Sequence, residues 1–151
     1  MHTLNICCQS NADRWRFIKT EVERCVKKAV HGEFTAEDIK KRIEEGRAFA
    51  AYAMDGDKVL IVCVWELVYY PRMTAVNIMC LGGSDARGMW DEFGGIMRKV
   101  WKAAGATHLE SCVSPAMARL LQKTNYIASR STSICAALFN GLPSASIKET
   151  T

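Results

Sequence analysis

At 151 residues, with 49% apolar and 24% charged side chains, the chain can bury a core of its own, which excludes a disordered or low-complexity protein. The net charge of +4 is small, and its excess falls mostly after Glu110, where Arg119, Lys123, Arg130 and Lys148 face only Glu149. That bias suits an anionic ligand such as a phosphorylated cofactor and excludes the basic stripe of a nucleic-acid binder, so no nucleic-acid partner is expected.

Leu4–Cys8 reads as an opening strand, and Ser10-x-x-Asp13 has the form of a capping box. Trp15, Ile18, Val22, Cys25, Val26 and Ala29 then recur at helical spacing, with His31-Gly32 as the stop. Thr35-x-x-Asp38 opens a shorter helix that carries Ile39 and Ile43 on one face and ends at Gly46. From Arg47 the texture changes. Arg47–Met54 and Lys58–Tyr70 are strand-like runs around Asp55-Gly56-Asp57, a hairpin signal, and after the turn Pro71-Arg72-Met73 the run Thr74–Leu81 completes a meander. Gly82-Gly83-Ser84-Asp85 ends that strand. A third helix places Trp90, Phe93, Met97, Val100 and Trp101 on one face and stops at Gly105, and His108–Val113 follows as a buried strand, which implies a parallel pair. Ser114-Pro115 starts a fourth helix with Met117, Leu120 and Leu121 inward, Ala128–Phe139 is a last strand, and the residues from Asn140 are polar.

The seven cysteines, Cys7, Cys8, Cys25, Cys63, Cys80, Cys112 and Cys135, include no C-x-x-C pair, and His2, His31 and His108 lack ligand spacing. Buried thiols in a reducing compartment are expected, with neither a disulfide framework nor a metal site. Met1–Ser10 lacks the basic start and apolar stretch of a secretory signal, and the longest apolar run, Val59–Trp65, is too short to span a bilayer. A cytoplasmic protein with no membrane partner is therefore expected.

The order strand, two helices, three meander strands, helix, strand, helix, strand resembles the GNAT superfamily of N-acetyltransferases over nearly the whole chain. The family's helix ending in A-x-x-x-G, its strand, and its N-x-x-A-x-x-L-Y-x-x-x-G-F segment are echoed by Trp101–Gly105 (WKAAG), His108–Val113 and Ser114–Tyr126 (SPAMARLLQKTNY), with Asn125-Tyr126 where the family has Gly-Phe. Phe34–Ile39, Glu45-Gly46-Arg47, Tyr70-Pro71-Arg72 and the strand ending in Gly82-Gly83 are similar to small GNAT-like proteins of tailed bacteriophages. The resemblance implies an α/β fold of layered α+β type. It has a mixed central sheet of about six strands, an antiparallel meander, one parallel pair and four helices. Residues 1–140 would form one domain and residues 141–151 a polar tail.

It also implies acetyl-CoA as cofactor. The family's Q/R-x-x-G-x-G/A loop opens the third helix, where backbone N–H groups and the helix dipole meet the diphosphate. Counting back from Gly105 puts Ser84, Arg87 and Met89 at the three motif positions, and a one-residue slide recovers Gly88. Leu81, Gly82, Gly83, Ser84, Arg87, Gly88 and Ser114 are thus the cofactor-binding candidates. Ser114 stands where the family has an Asn that orients the cofactor's amide-bearing arm, and Arg98 is a second possible phosphate contact. Asp85 would cap the helix and repel a diphosphate, and Leu121 occupies the position of the family's general-acid Tyr. Glu66 and Glu110, on strands, are the candidate general bases. An acid within the apolar run around Glu66 costs several kcal/mol if buried unpaired, roughly 2–7 even for a neutral polar group, so it must face a cleft, solvent or a partner.

Two functions follow. One is acetyl transfer from acetyl-CoA to an amine on a protein or small molecule, through a degenerate cofactor loop. The other is a catalytically inactive GNAT-fold phage protein that binds a phage or host protein, in virion assembly or host takeover, located in the host cytoplasm or the virion.

Overall fold

Trp15, Ile18 and Val22 fall on one stripe of a helix and are all buried, which is what the helical spacing of the apolar residues requires. That helix belongs to a computed structural model that describes residues 4–27 and 34–113, with side chains through Leu109, and the backbone of residues 127–131, 135–138 and 145–149. The chain divides into two compact units, Met1–Glu66 with Met79–Ala86, and Leu67–Ile78 with Arg87–Thr151.

The first unit holds β1 (Leu4–Cys7), α1 (Trp15–Lys27), α2 (Ala36–Glu44), β2 (Phe49–Asp55) and most of β3 (Lys58–Tyr70). β1 pairs antiparallel with β2, and β2 with β3. Ala50 lies opposite Val64 and Tyr52 opposite Val62, and all four join the core with Trp15, Ile18, Val22, Ile39 and Ile43. The alternate set, Ala51 opposite Cys63 and Ala53 opposite Ile61, is also buried. A strand covered on both faces has no reason to alternate, which explains the unbroken apolar run of β3. Each large side chain removed from water here contributes roughly 1.5–3 kcal/mol.

Both helices begin on local hydrogen bonds. Thr35 Oγ1 accepts from the Asp38 N–H at 3.1 Å and Asp38 Oδ2 accepts from the Thr35 N–H at 2.9 Å, the box expected at the start of α2. At its end the Arg47 N–H donates to the Arg42 carbonyl at 2.8 Å around Gly46, whose φ is +76°. The box expected at Ser10 and Asp13 is shifted. A 3₁₀ turn over Gln9–Arg14 precedes α1, and the Cys8 N–H donates to Asn11 Oδ1 at 2.7 Å instead. Asn11 Nδ2 also reaches the Ile6 carbonyl at 2.9 Å, so an amide that both donates and accepts takes the part expected of the Asp13 carboxylate, with Cys8 in place of Ser10 at the cap.

The second unit holds the start of β4 (Met73–Gly82), nearly all of α3 (Ala86–Ala103) and β5 (His108–Val113). The Pro71-Arg72 turn joins β3 to β4, a connection short enough only for antiparallel neighbours. β4 and β5 form a parallel ladder of four pairs, from Ala75 with His108 to Ile78 with Ser111. Trp90, Phe93, Met97 and Trp101 are the buried stripe of α3, and the helix is closed by the Ala106 N–H donating to the Trp101 carbonyl at 3.0 Å around Gly105.

The described fold is thus α+β, with a mixed sheet in the order β1-β2-β3-β4-β5, one parallel pair within it and three α-helices. Of the six strands and four helices expected, the fourth helix from Ser114-Pro115 lies outside the described residues. Short strand segments at Ile127–Ser131, Cys135–Leu138 and Ala145–Glu149 fall in and beyond the stretch expected to form the last strand. Among the described residues no helix is long and apolar enough to cross a membrane.

Candidate functional site

The turn between β4 and α3 is fastened to β3. The Ser84 N–H donates to the Val59 carbonyl at 3.0 Å, the Asp85 N–H to the Leu60 carbonyl at 2.9 Å, and the Ser84 hydroxyl to the Val59 carbonyl at 3.1 Å. Gly83 makes this approach possible. Its φ of +133° lies where side chains are strained, and a Cβ there would collide with the Leu60 carbonyl oxygen and come within 2.7 Å of Ile61 Cα. The consequence is chemical. Two N–H groups of the expected phosphate loop already have carbonyl partners, so the donors left for an anion are those that open α3, from Ala86 to Gly88.

Around that turn Leu81, Gly82 and Gly83 are half-buried, while Ser84, Asp85, Arg87 and Gly88 are exposed. The carboxylate of Asp85 makes no hydrogen bond or ion pair among the described residues, so the expected helix cap is not formed. Its position at the helix start still puts negative charge beside the donors. Arg98 is half-buried in a groove of about 450 Å³ on α3, with Glu92, Ile96, Lys99 and Lys102. At 1.5 Å per residue it lies roughly 15 Å along the helix from Gly88, too far to share one diphosphate with Arg87.

Glu66 has found a partner. Arg42 Nη1 donates to Glu66 Oε2 at 2.6 Å, with both side chains only 27% and 18% exposed, and the same guanidinium stacks over the Phe34 ring at 4.9 Å from its centroid. Of the three possibilities open to an acid in this strand, a partner is the one realised. The pair joins residues 24 apart in the chain, and no local spacing announces it. Glu110 stands on β5 opposite Asn77, and its side chain lies outside the described ones. Ser114 and Leu121 also lie outside the described residues. His108 Nδ1 is 2.8 Å from the Thr107 hydroxyl.

Among the described cysteines, Cys7, Cys63 and Cys80 are buried and Cys8 and Cys25 are half-buried. Burial pushes the Cys63 thiol far up, and the Cys80 thiol is raised by its hydrogen bond with Cys25 and by burial. Burial likewise raises the Cys7 thiol, to about 11. Among the described residues no three His, Cys, Asp or Glu side chains are grouped to hold a metal ion.

No protein-family model matches the sequence, and no curated protein does. Solved structures do share its fold. A probable acetyltransferase from Staphylococcus epidermidis superposes with a TM-score of 0.65 at 8% identity, covering 94% of this chain and 100% of its own. An N-acetyltransferase from Staphylococcus aureus gives 0.62 at 7% identity, over 93% and 97% of the two chains. A predicted acetyltransferase from Clostridium acetobutylicum, solved with acetyl-CoA, gives 0.58 at 9% identity, over 82% and 88%. The chain therefore has the fold of the GNAT-type acetyltransferases. At these identities the likeness is one of fold, and the site has to be judged on its own residues.

Proposed function

We propose that this chain is an acyl-CoA-dependent N-acyltransferase of the GNAT type, moving an acetyl group from acetyl-CoA to an amine through a reduced cofactor loop. The observation that carries the reading is the shared acetyltransferase fold, together with a glycine turn that leads β4 directly into α3. The donor set fits an anion in part. Ser84 and Asp85 have spent their N–H groups on β3, while the first turn of α3 offers backbone N–H groups, the exposed Arg87 and a Gly88 without a side chain to obstruct approach. These residues would hold the diphosphate, with Leu81–Ser84 forming the backbone seat beside it and Ser114 giving one hydroxyl to the amide-bearing arm. Acetyl-CoA, when bound, supplies an activated thioester. Glu66 or Glu110 would take the amine proton, Glu66 while paired with Arg42.

Calorimetry with acetyl-CoA tests this first. Saturable heat in the micromolar range, weakened by Arg87→Ala, is expected. No heat at millimolar ligand would remove the enzyme reading.

A second reading is favoured by the two committed N–H groups and by the acid at the helix start. In it the fold is retained without catalysis and binds a phage or host protein, as the sequence likeness to phage GNAT-like proteins suggests. It would be supported by a stoichiometric partner co-purifying from virions or host lysate with no acetyl transfer. A partnerless monomer that transfers acetyl groups would exclude it.

A further inference from the structure

Cys25, near the end of α1, packs against the buried cluster that contains Cys80 of β4, and the two thiols interact. Cys80 faces the core with Val62 and Val64. A second contact places Cys25 independently. Its sulfur occupies the space that a side chain on Gly82 would fill, two residues along β4 and on the same face as Cys80. Cys63, within electrostatic range of both thiols, is fully buried among the alternate side chains of β3 and so less open to an oxidant than Cys25.

We propose that Cys25 and Cys80 form an oxidation site, in which hydrogen peroxide converts the two thiols to a disulfide tying α1 to β4 beside Gly82. Cys25 is half-buried and open to a small oxidant, whereas Cys80 is 5% exposed. Burial and the contact with Cys25 also hold the Cys80 thiol protonated. Cys25 therefore reacts first. Its thiolate attacks a peroxide oxygen, the O–O bond breaks, and Cys25 becomes a sulfenic acid as one water leaves. The Cys80 sulfur then attacks the Cys25 sulfur, the S–O bond breaks, and the Cys80 proton leaves with the hydroxyl as a second water. Two thiols and one peroxide give one disulfide and two waters. With Cys25 Sγ lodged against Gly82, on the face of β4 that carries Cys80, the two sulfurs are neighbours that a bond of about 2.05 Å would join. The inference does not depend on the acyltransferase reading, because it requires neither a cofactor nor an acceptor.

The test uses the full chain treated with stoichiometric hydrogen peroxide, followed by intact-mass measurement and peptide mapping without reduction. Expected are a loss of two hydrogens, a fall from seven to five free thiols counted after unfolding, a crosslinked Cys25–Cys80 peptide pair and full reversal by dithiothreitol. Cys25→Ser, a near-isosteric change at a half-buried position, should cut crosslinking at least tenfold. Cys80→Ser should leave Cys25 as a sulfenic acid that dimedone captures. The inference is overturned if the crosslink joins other cysteines, if it persists in Cys25→Ser, or if the wild-type chain accumulates Cys25 sulfenic acid without closing the bond.

Discussion

The starts of α2 and α3 carry similar sequence signals and end in opposite states. At α2, Thr35 and Asp38 satisfy one another, and the first turn is chemically closed. At α3, the residues just before the helix give their N–H groups to β3, Asp85 leaves its carboxylate in solvent, and the helix opens at Ala86. The difference separates a helix start that serves stability from one that can serve a ligand. A capping residue uses up donors, and a turn that reaches into a neighbouring strand leaves the next donors along the helix unused.

Three substitutions can break or sharpen that contrast. Gly83→Ala should have the largest effect. It strains a positive φ and collides with the Leu60 backbone, so the bonds of Ser84 and Asp85 to β3 must yield. A loss of about 3 kcal/mol is expected in denaturant melts, and any acetyl-CoA heat should disappear with it. A loss below about 1 kcal/mol would mean that the turn is not held by that contact.

Thr35→Ala should cost about 1 kcal/mol by removing half of the α2 box, with no effect on acetyl-CoA binding. The box also has a pH signature. Hydrogen bonds from Thr35 hold the Asp38 carboxyl below its ordinary 3.8. A depressed folded-state value means that this contribution is complete above the ordinary value and lost as pH falls through the depressed one. An NMR titration should show Asp38 protonating later than exposed carboxylates on the way down, and Thr35→Ala, which removes the hydroxyl but keeps the backbone donor, should shorten the delay without erasing it. The smallest change in stability is expected from Asp85→Asn, within about 0.5 kcal/mol, because the exposed carboxylate has no partner among the described residues to lose. Its effect should appear in binding. Removing a negative charge from the start of α3 should tighten acetyl-CoA about two- to fivefold, from the 0.3–1 kcal/mol that a charge is worth there.

Much of the framework was legible along the chain because its causes are local. The hairpin at Asp55-Gly56-Asp57, the Thr35 box, the stop at Gly46 and the apolar stripe of α3 each depend on residues a few positions apart. Ser10-x-x-Asp13 was misleading because several polar residues there could cap, and only the path of the chain out of β1 selects Cys8 and Asn11. The candidate site was legible in part. The Gly82–Asp85 turn was visible as composition, but the destination of its N–H groups was not, since Val59 and Leu60 stand 25 residues earlier.

The sequence by itself determined where α2 starts and where the hairpin turns, which faces of the described helices are apolar, and that Glu66 had to face a cleft, solvent or a partner. Those follow from periodicity, capping chemistry and the cost of burying charge, all properties of short segments. Tertiary structure alone decided that Arg42 is that partner, that Cys25 meets Cys80 beside Gly82, and that β3 takes the donors of Ser84 and Asp85. Each of these joins residues far apart in the chain, and only the packing of helices and strands brings such groups within reach of one another.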